Sequence, residues 1–209
     1  MAPPHSMQLI GRADWTLMTA IHDALRRDLD QLMDATDSHA PARVRWTTFR
    51  AQLHFHLTAE QTTMWPRARE RLIGDPHGQA LLDAMDDEHQ LLGPLSAVID
   101  DAFTMHADPG RLRQLLARLR TRLASRLAHE EADALPLIGQ ILSPGELGGI
   151  AAAIRGGRSI RRAGNTIPWV LADARPDVRE HVLSQLPAPA RILYQTVWLP
   201  RYTRTIAPL

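Results

Sequence analysis

The sequence predicts an all-α protein: an up-down-up-down four-helix bundle followed by a C-terminal helical and irregular extension. Two observations carry this. First, three turn signals, Ser38-His39-Ala40-Pro41, Gly74-Asp75-Pro76 and Asp108-Pro109-Gly110, cut the chain before Leu142 into four long stretches. Second, each stretch repeats its apolar residues at helical spacing and holds few β-branched residues. Short connections between long helices make neighbours antiparallel, which is the logic of a bundle.

The first helix is expected from a cap at Asp14 to about Asp34. The second runs from about Ala42 to Ile73. The third starts at Pro76, a favourable first-turn residue, and reaches about His106. The fourth runs from Pro109 to about Leu142. Pro66, Pro94 and Pro136 fall inside these spans, and each should kink or locally unwind its helix. After Leu142 the pattern changes. Ser143-Pro144-Gly145-Glu146 reads as a capping box that opens a short helix, closed by Arg155-Gly156-Gly157-Arg158. A second short helix is expected from Asp177 to Gln185. An aromatic-rich segment follows from Ile192 to Tyr202. Residues 1–142 therefore form the bundle, and residues 143–209 an extension packing on it. No internal repeat stands out.

Composition narrows the function. The 209 residues include no cysteine, so disulfides, thiolate metal sites and cysteine nucleophiles are excluded together. The 44% apolar content is enough for a core. No run of apolar residues is long enough to span a membrane, and Met1 to Trp15 lacks the pattern of a secretory leader. A cytoplasmic location is the expectation. All 24 basic side chains are arginine, against 23 acids. Residues 151–209 hold nine Arg and three acids, while the preceding 150 residues hold 15 Arg and 20 acids. An acidic body argues against nucleic acid as a partner. The basic extension, with Arg155, Arg158, Arg161, Arg162, Trp169 and Trp198, is read as packing on the bundle rather than meeting a membrane surface. Ser125 near His129 has no nucleophile elbow around it, so hydrolytic serine chemistry is not expected.

The ten histidines are the strongest functional signal. His5, His39, His77, His106 and His181 sit near termini, turns or the extension and read as surface. His22 falls within the apolar arc of Leu17, Met18, Ile21, Leu25, Leu29 and Leu32. His56 and Glu60 share a helical face with Phe49, Leu53 and Met64, whereas His54 points away. His89 lies among Leu82, Met85 and Leu92. His129 and Asp133 stand off the centre of the leucine stripe Leu112, Leu115, Leu116, Leu119, Leu123 and Leu127. Their spacing nevertheless matches His56-x-x-x-Glu60, and residues four apart project from one helix face. One histidine per helix at a common height, with two carboxylates facing an apolar core, calls for a bound cation, because an unpaired buried carboxylate is costly. Nitrogen and oxygen donors without thiolate suit iron, manganese or zinc.

These residues resemble the haemerythrin-like (HHE) cation-binding family over about residues 14–142. The resemblance rests on His22, on His56-Leu57-Thr58-Ala59-Glu60 followed by Met64-Trp65-Pro66, on Glu88-His89, and on His129-Glu130-Glu131-Ala132-Asp133 followed by Leu135-Pro136. It implies a four-helix bundle holding two iron ions, Fe2+ or Fe3+, joined by an oxo or hydroxo bridge, with zinc and manganese as second choices. His22, His56, His89 and His129 would cap the irons, and Glu60 and Asp133 would bridge them. It also implies a small ligand as the partner: dioxygen, nitric oxide or hydrogen peroxide. A peroxide- or nitric-oxide-reactive oxidoreductase, an iron or oxygen sensor, and a structural module without redox turnover all stay open. So does the oligomeric state, with a monomer or weak homo-oligomer expected. The oxygen carriers of the family have two histidines four apart on the third helix. Here Met85 and Gly93 flank His89 at that spacing, which leaves either an additional open position, favouring peroxide or nitric oxide chemistry over oxygen storage, or a place for a non-histidine donor. Glu88 and Glu130 are alternatives for it, although supporting or solvated carboxylates are the preferred reading for both.

Overall fold

The computed structural model describes residues 13–156 and 160–205, and it is helical throughout, with no strand among them. Helix α1 is Thr16–Asp34, entered through Asp14, whose Oδ1 accepts from the Thr16 N–H at 3.0 Å. Helix α2 is His39–Ala59, and after a five-residue π-turn at Glu60–Met64 the rod continues as α3, Trp65–Arg71. Helix α4, Pro76–Gln90, is capped by the Asp75 carboxylate and passes with a one-residue break into α5, Leu92–Thr104. Helix α6 is Pro109–His129, capped by Asp108; a second π-turn at Glu130–Ala134 leads into α7, Leu135–Ile141. The four expected rods are therefore present.

The internal prolines act in two ways. Pro66 and Pro136 each follow a π-turn. A proline lacks the N–H that an α-helix would use, and the wider turn accommodates the lost bond without breaking the rod. Pro94 lies in the first turn of α5, where no helical N–H is needed.

The matching lengths expose a repeat that the sequence hides. Helices α2 and α6 each have 21 residues, their π-turns five, and α3 and α7 seven. The two rods superpose by number with an offset of 70, from Glu60 to Glu130 and from Pro66 to Pro136. His56 then corresponds to Arg126, not to His129.

Helix α1 packs on α2 and α6, and α5 packs on α2 and α6, so four rods enclose one interior. That interior is two apolar clusters. One holds Leu25, Leu29, Leu32, Trp46, Phe49, Leu53 and the α6 leucines. The other holds Trp15, Met64, Trp65, Leu82, Met85, Leu135 and Ile138. On the second rod the first cluster stops at Leu57 and the second begins at Met64; on the fourth rod the limits are Leu127 and Ala134. A polar layer lies between them.

The extension is mostly helical: α8, Pro144–Gly156; α9, Ile160–Leu171; α10, Pro176–Ser184; α11, Ala188–Leu193; a π-turn at Tyr194–Trp198; and α12, Leu199–Thr205. The capping box at Ser143 forms, with Glu146 accepting from the Ser143 N–H and hydroxyl at 2.8 and 2.7 Å. Helix α9 was not expected from the sequence, since Gly164 and Pro168 argue against a helix there. Packing overrides propensity. Trp169, Val170 and Leu171 are buried in the same cluster as the α1 leucines. Gly164 has a specific use: a Cβ there would come within 2.8 Å of the Trp198 indole nitrogen. The stop expected at Gly157-Arg158 lies outside the described residues, as do the side chains of Arg155, Arg161 and Arg162. No single helix among the described residues is long and apolar enough to cross a membrane.

Candidate metal centre

The polar layer between the two clusters gathers His22 from α1, His56 and Glu60 from the second rod, and Glu130 from the fourth. Each offers one ligand atom, and these atoms all lie within 4.8 Å of one another. None of the four side chains is more than 5% exposed. The His22 and His56 rings meet edge to face, with centroids 5.0 Å apart.

Four of the facing atoms have no hydrogen-bond partner: His22 Nε2, His56 Nε2, Glu60 Oε1 and Glu130 Oε1. His56 Nε2 is 2.8 Å from Glu60 Oε1, yet the pair lacks hydrogen-bond geometry. His22 Nε2 and Glu130 Oε1 would each cost about 1–3 kcal/mol if left without a hydrogen bond, and His56 Nε2 and Glu60 Oε1 have only each other. Donors that converge in this way have the arrangement expected around a shared cation. Two imidazole nitrogens and two carboxylates, without thiolate, fit a first-row transition ion such as iron.

The His22 imidazole is held in the state that binding needs. Burial pushes His22 down to about 4, so its ring is neutral near neutral pH. Its Nδ1–H donates to Glu131 Oε1 at 2.7 Å, which leaves the Nε2 lone pair facing the layer. Glu131 is itself gripped by Arg26, at 2.9 and 3.0 Å. Burial works to raise the Glu131 carboxyl, but the bonds from His22 and Arg26 outweigh it and hold it at about 2. The carboxylate thus fixes both tautomer and ring orientation. Replacing Glu131 by Gln should weaken metal affinity by roughly 10- to 100-fold while leaving the helical circular dichroism unchanged. Competition with a chromogenic chelator measures it, and unchanged affinity would show that Glu131 does not orient His22.

The two buried glutamates are joined from one side by Arg126. Its Nη2 donates to Glu60 Oε2 at 2.5 Å and its Nη1 to Glu130 Oε2 at 2.8 Å. The guanidinium is 1% exposed. Burial works to raise Glu60, but the charges of His56 and Arg126 hold it at about 2. Glu130 moves the other way, raised well above the carboxylate range by burial and then by the Glu60 charge. Two carboxylates this close resist holding both charges, and Glu130 is the one pushed toward its neutral form.

Of the six residues expected from the sequence, His22, His56 and Glu60 meet in this group. His89 sits beside it: its Nδ1 is buried without a partner, and burial and the Arg126 charge lower its pKa. His129 and Asp133 are not brought in. His129 Nδ1 donates to Glu88 Oε1 at 2.9 Å, and Asp133 is 59% exposed, 3.7 Å from His129 Nε2. The reason is helical phase. The inward stripe Leu119, Leu123, Leu127 continues to Glu130 and Ala134, so the inward pair four apart is Arg126 and Glu130. Arg126 is the residue that sequence reasoning missed, and Glu130 entered there only as an alternative donor, with a supporting or solvated role preferred. The available signal was the proline: Glu60 stands six before Pro66, and Glu130 six before Pro136.

Two imidazoles and two carboxylates on buried faces of neighbouring helices define a helical cation-binding protein. The family model for the hemerythrin HHE cation binding domain matches residues 14–138, well over half of the chain. The chain belongs to that family. No curated protein and no solved structure matches it.

Proposed function

We propose that the protein binds iron through His22, His56, Glu60 and Glu130 and presents it to a small ligand: dioxygen, nitric oxide or hydrogen peroxide. The observation that carries the reading is the convergence of four buried side chains whose ligand atoms lie within 4.8 Å of one another. The four rods are read as an up-down-up-down bundle, because short turns join them in sequence. Iron supplies a change of oxidation state and positions open to a small ligand. The chain supplies the rest. Glu131 and Arg26 aim His22. Leu57 and Met64 flank the layer on the second rod, Leu127 and Ala134 on the fourth, and their apolar surface excludes bulk water. Iron held by these four buried side chains would meet a small ligand in a closed setting.

The test is anaerobic loading with ferrous iron, followed by visible spectra before and after nitric oxide, oxygen and peroxide are added in turn. The reading expects bound iron and a new absorption band with at least one ligand, both lost in His56→Ala. Folded protein that takes up no iron, or that holds only zinc and answers none of the three, would contradict it.

A second reading, an iron or oxygen sensor, is favoured by one contact. Helix α1 carries both His22 and the Arg27–Asp28 pair that holds the extension, through Trp169 and the carbonyls of Trp169 and Ala172. If the extension is an output element, loading the metal should alter hydrogen exchange across residues 160–205. Identical exchange with and without metal removes that reading.

A further inference from the structure

We infer that the centre holds a single metal ion and that the Arg126 guanidinium takes the place of a second cation. The inference rests on the metal-binding reading above and adds the stoichiometry.

Glu60 divides its oxygens by side: Oε1 is 2.8 Å from His56 Nε2, and Oε2 accepts from Arg126 at 2.5 Å. Glu130 uses Oε2 toward both, 3.8 Å from His22 Nε2 and 2.8 Å from Arg126 Nη1, and its Oε1 has no hydrogen-bond partner. Both carboxylates thus lie between two cation positions. One position faces His22 and His56. The other is filled by a planar cation fixed to both carboxylates, and guanidinium does not lose its charge.

The internal repeat explains how the second position came to be filled. With an offset of 70, Glu130 stands where Glu60 stands, and Arg126 stands where His56 stands. The fourth rod therefore presents a guanidinium at the place where the second rod presents an imidazole. His89 remains on that side, with a buried and unpartnered Nδ1 next to a fixed positive charge. A lone imidazole against a cation is a poor site for another cation. His129 and Asp133 cannot replace the lost donor, since they engage Glu88 and solvent.

The experiment is metal counting by mass spectrometry on full-length protein loaded anaerobically with excess ferrous iron, and separately with manganese(II). Manganese gives an independent readout, because one isolated ion and a coupled pair have different electron paramagnetic resonance spectra. The wild type is expected to hold about one ion per chain with the spectrum of an isolated ion. Arg126→Lys keeps the charge and should also hold one. Arg126→His restores the imidazole at the repeat-related position and should raise the count toward two, with the spectrum of a coupled pair. Two ions in the wild type would overturn the inference while leaving the metal-binding reading intact. So would a folded Arg126→His variant that still holds one. If Arg126→His does not fold, the wild-type count and spectrum decide alone. No metal in folded wild type would overturn the metal-binding reading, and the inference with it.

Discussion

Replacing Arg126 by Leu is expected to destabilise the metal-free protein by about 3–5 kcal/mol, the range for breaking a buried ion pair from one side. Arg126 lies between two carboxylates that are 1% exposed or less. Without it, Glu60 and Glu130 face one another in a closed interior with only the His56 imidazole beside Glu60. Neither can reach water, and the pair cannot shed its cost by moving outward, because the π-turns fix both backbones. For a chain of this length the loss corresponds to a drop in Tm of roughly 10 °C. The second half of the expectation separates charge from packing. A divalent ion supplies the missing positive charge, so adding manganese(II) should raise the Tm of Arg126→Leu more than that of the wild type. Calorimetry with and without the metal measures both. Equal metal-induced shifts in the two proteins would mean that Arg126 contributes packing and not counter-charge.

Trp169→Ala is expected to cost about 3–5 kcal/mol, as for other large aromatic truncations in a closed core. Trp169 lies in the extension but is only 1% exposed. Its indole N–H donates to Asp28 Oδ2 at 2.5 Å, and its carbonyl accepts from Arg27 Nη2 at 3.0 Å. Truncation empties a volume shared by α1 and α9 and leaves Asp28 with one partner fewer. Because the extension and the bundle share one cluster, unfolding should stay a single transition that moves to lower urea. A separate early transition, with the bundle unchanged, would show that the extension is only loosely attached.

The four rods were legible because their ends carry strong local chemistry. Asp75-Pro76 and Asp108-Pro109 cap and start helices, and the first two rods are parted only by a short 3-10 turn, Ala35–Asp37. Helix α9 was not legible. Its stability comes from Trp169, Val170 and Leu171 reaching the core, and no local propensity announces that. The centre divides in the same way. His22, His56 and Glu60 could be read because a histidine on an apolar face is conspicuous. Arg126 could not, and Glu130 could be named only as an alternative, because isolated charged residues belong on surfaces and are buried only when paired. Each supplies the reason for the other's burial, and that reason is tertiary. His129 and Asp133 share the spacing of His56 and Glu60 but stand about one turn further along the helix than the pair that the offset of 70 matches, Arg126 and Glu130. That offset lives in element lengths more than in residue identities.

The most direct measurement is anomalous X-ray scattering from a crystal of the full chain loaded with iron or manganese. One anomalous peak is expected among His22, His56, Glu60 and Glu130, with Arg126 still joining the two glutamates on the far side. A peak at His129 and Asp133 instead, or loaded crystals with no peak among the four residues, would contradict the assignment of the centre.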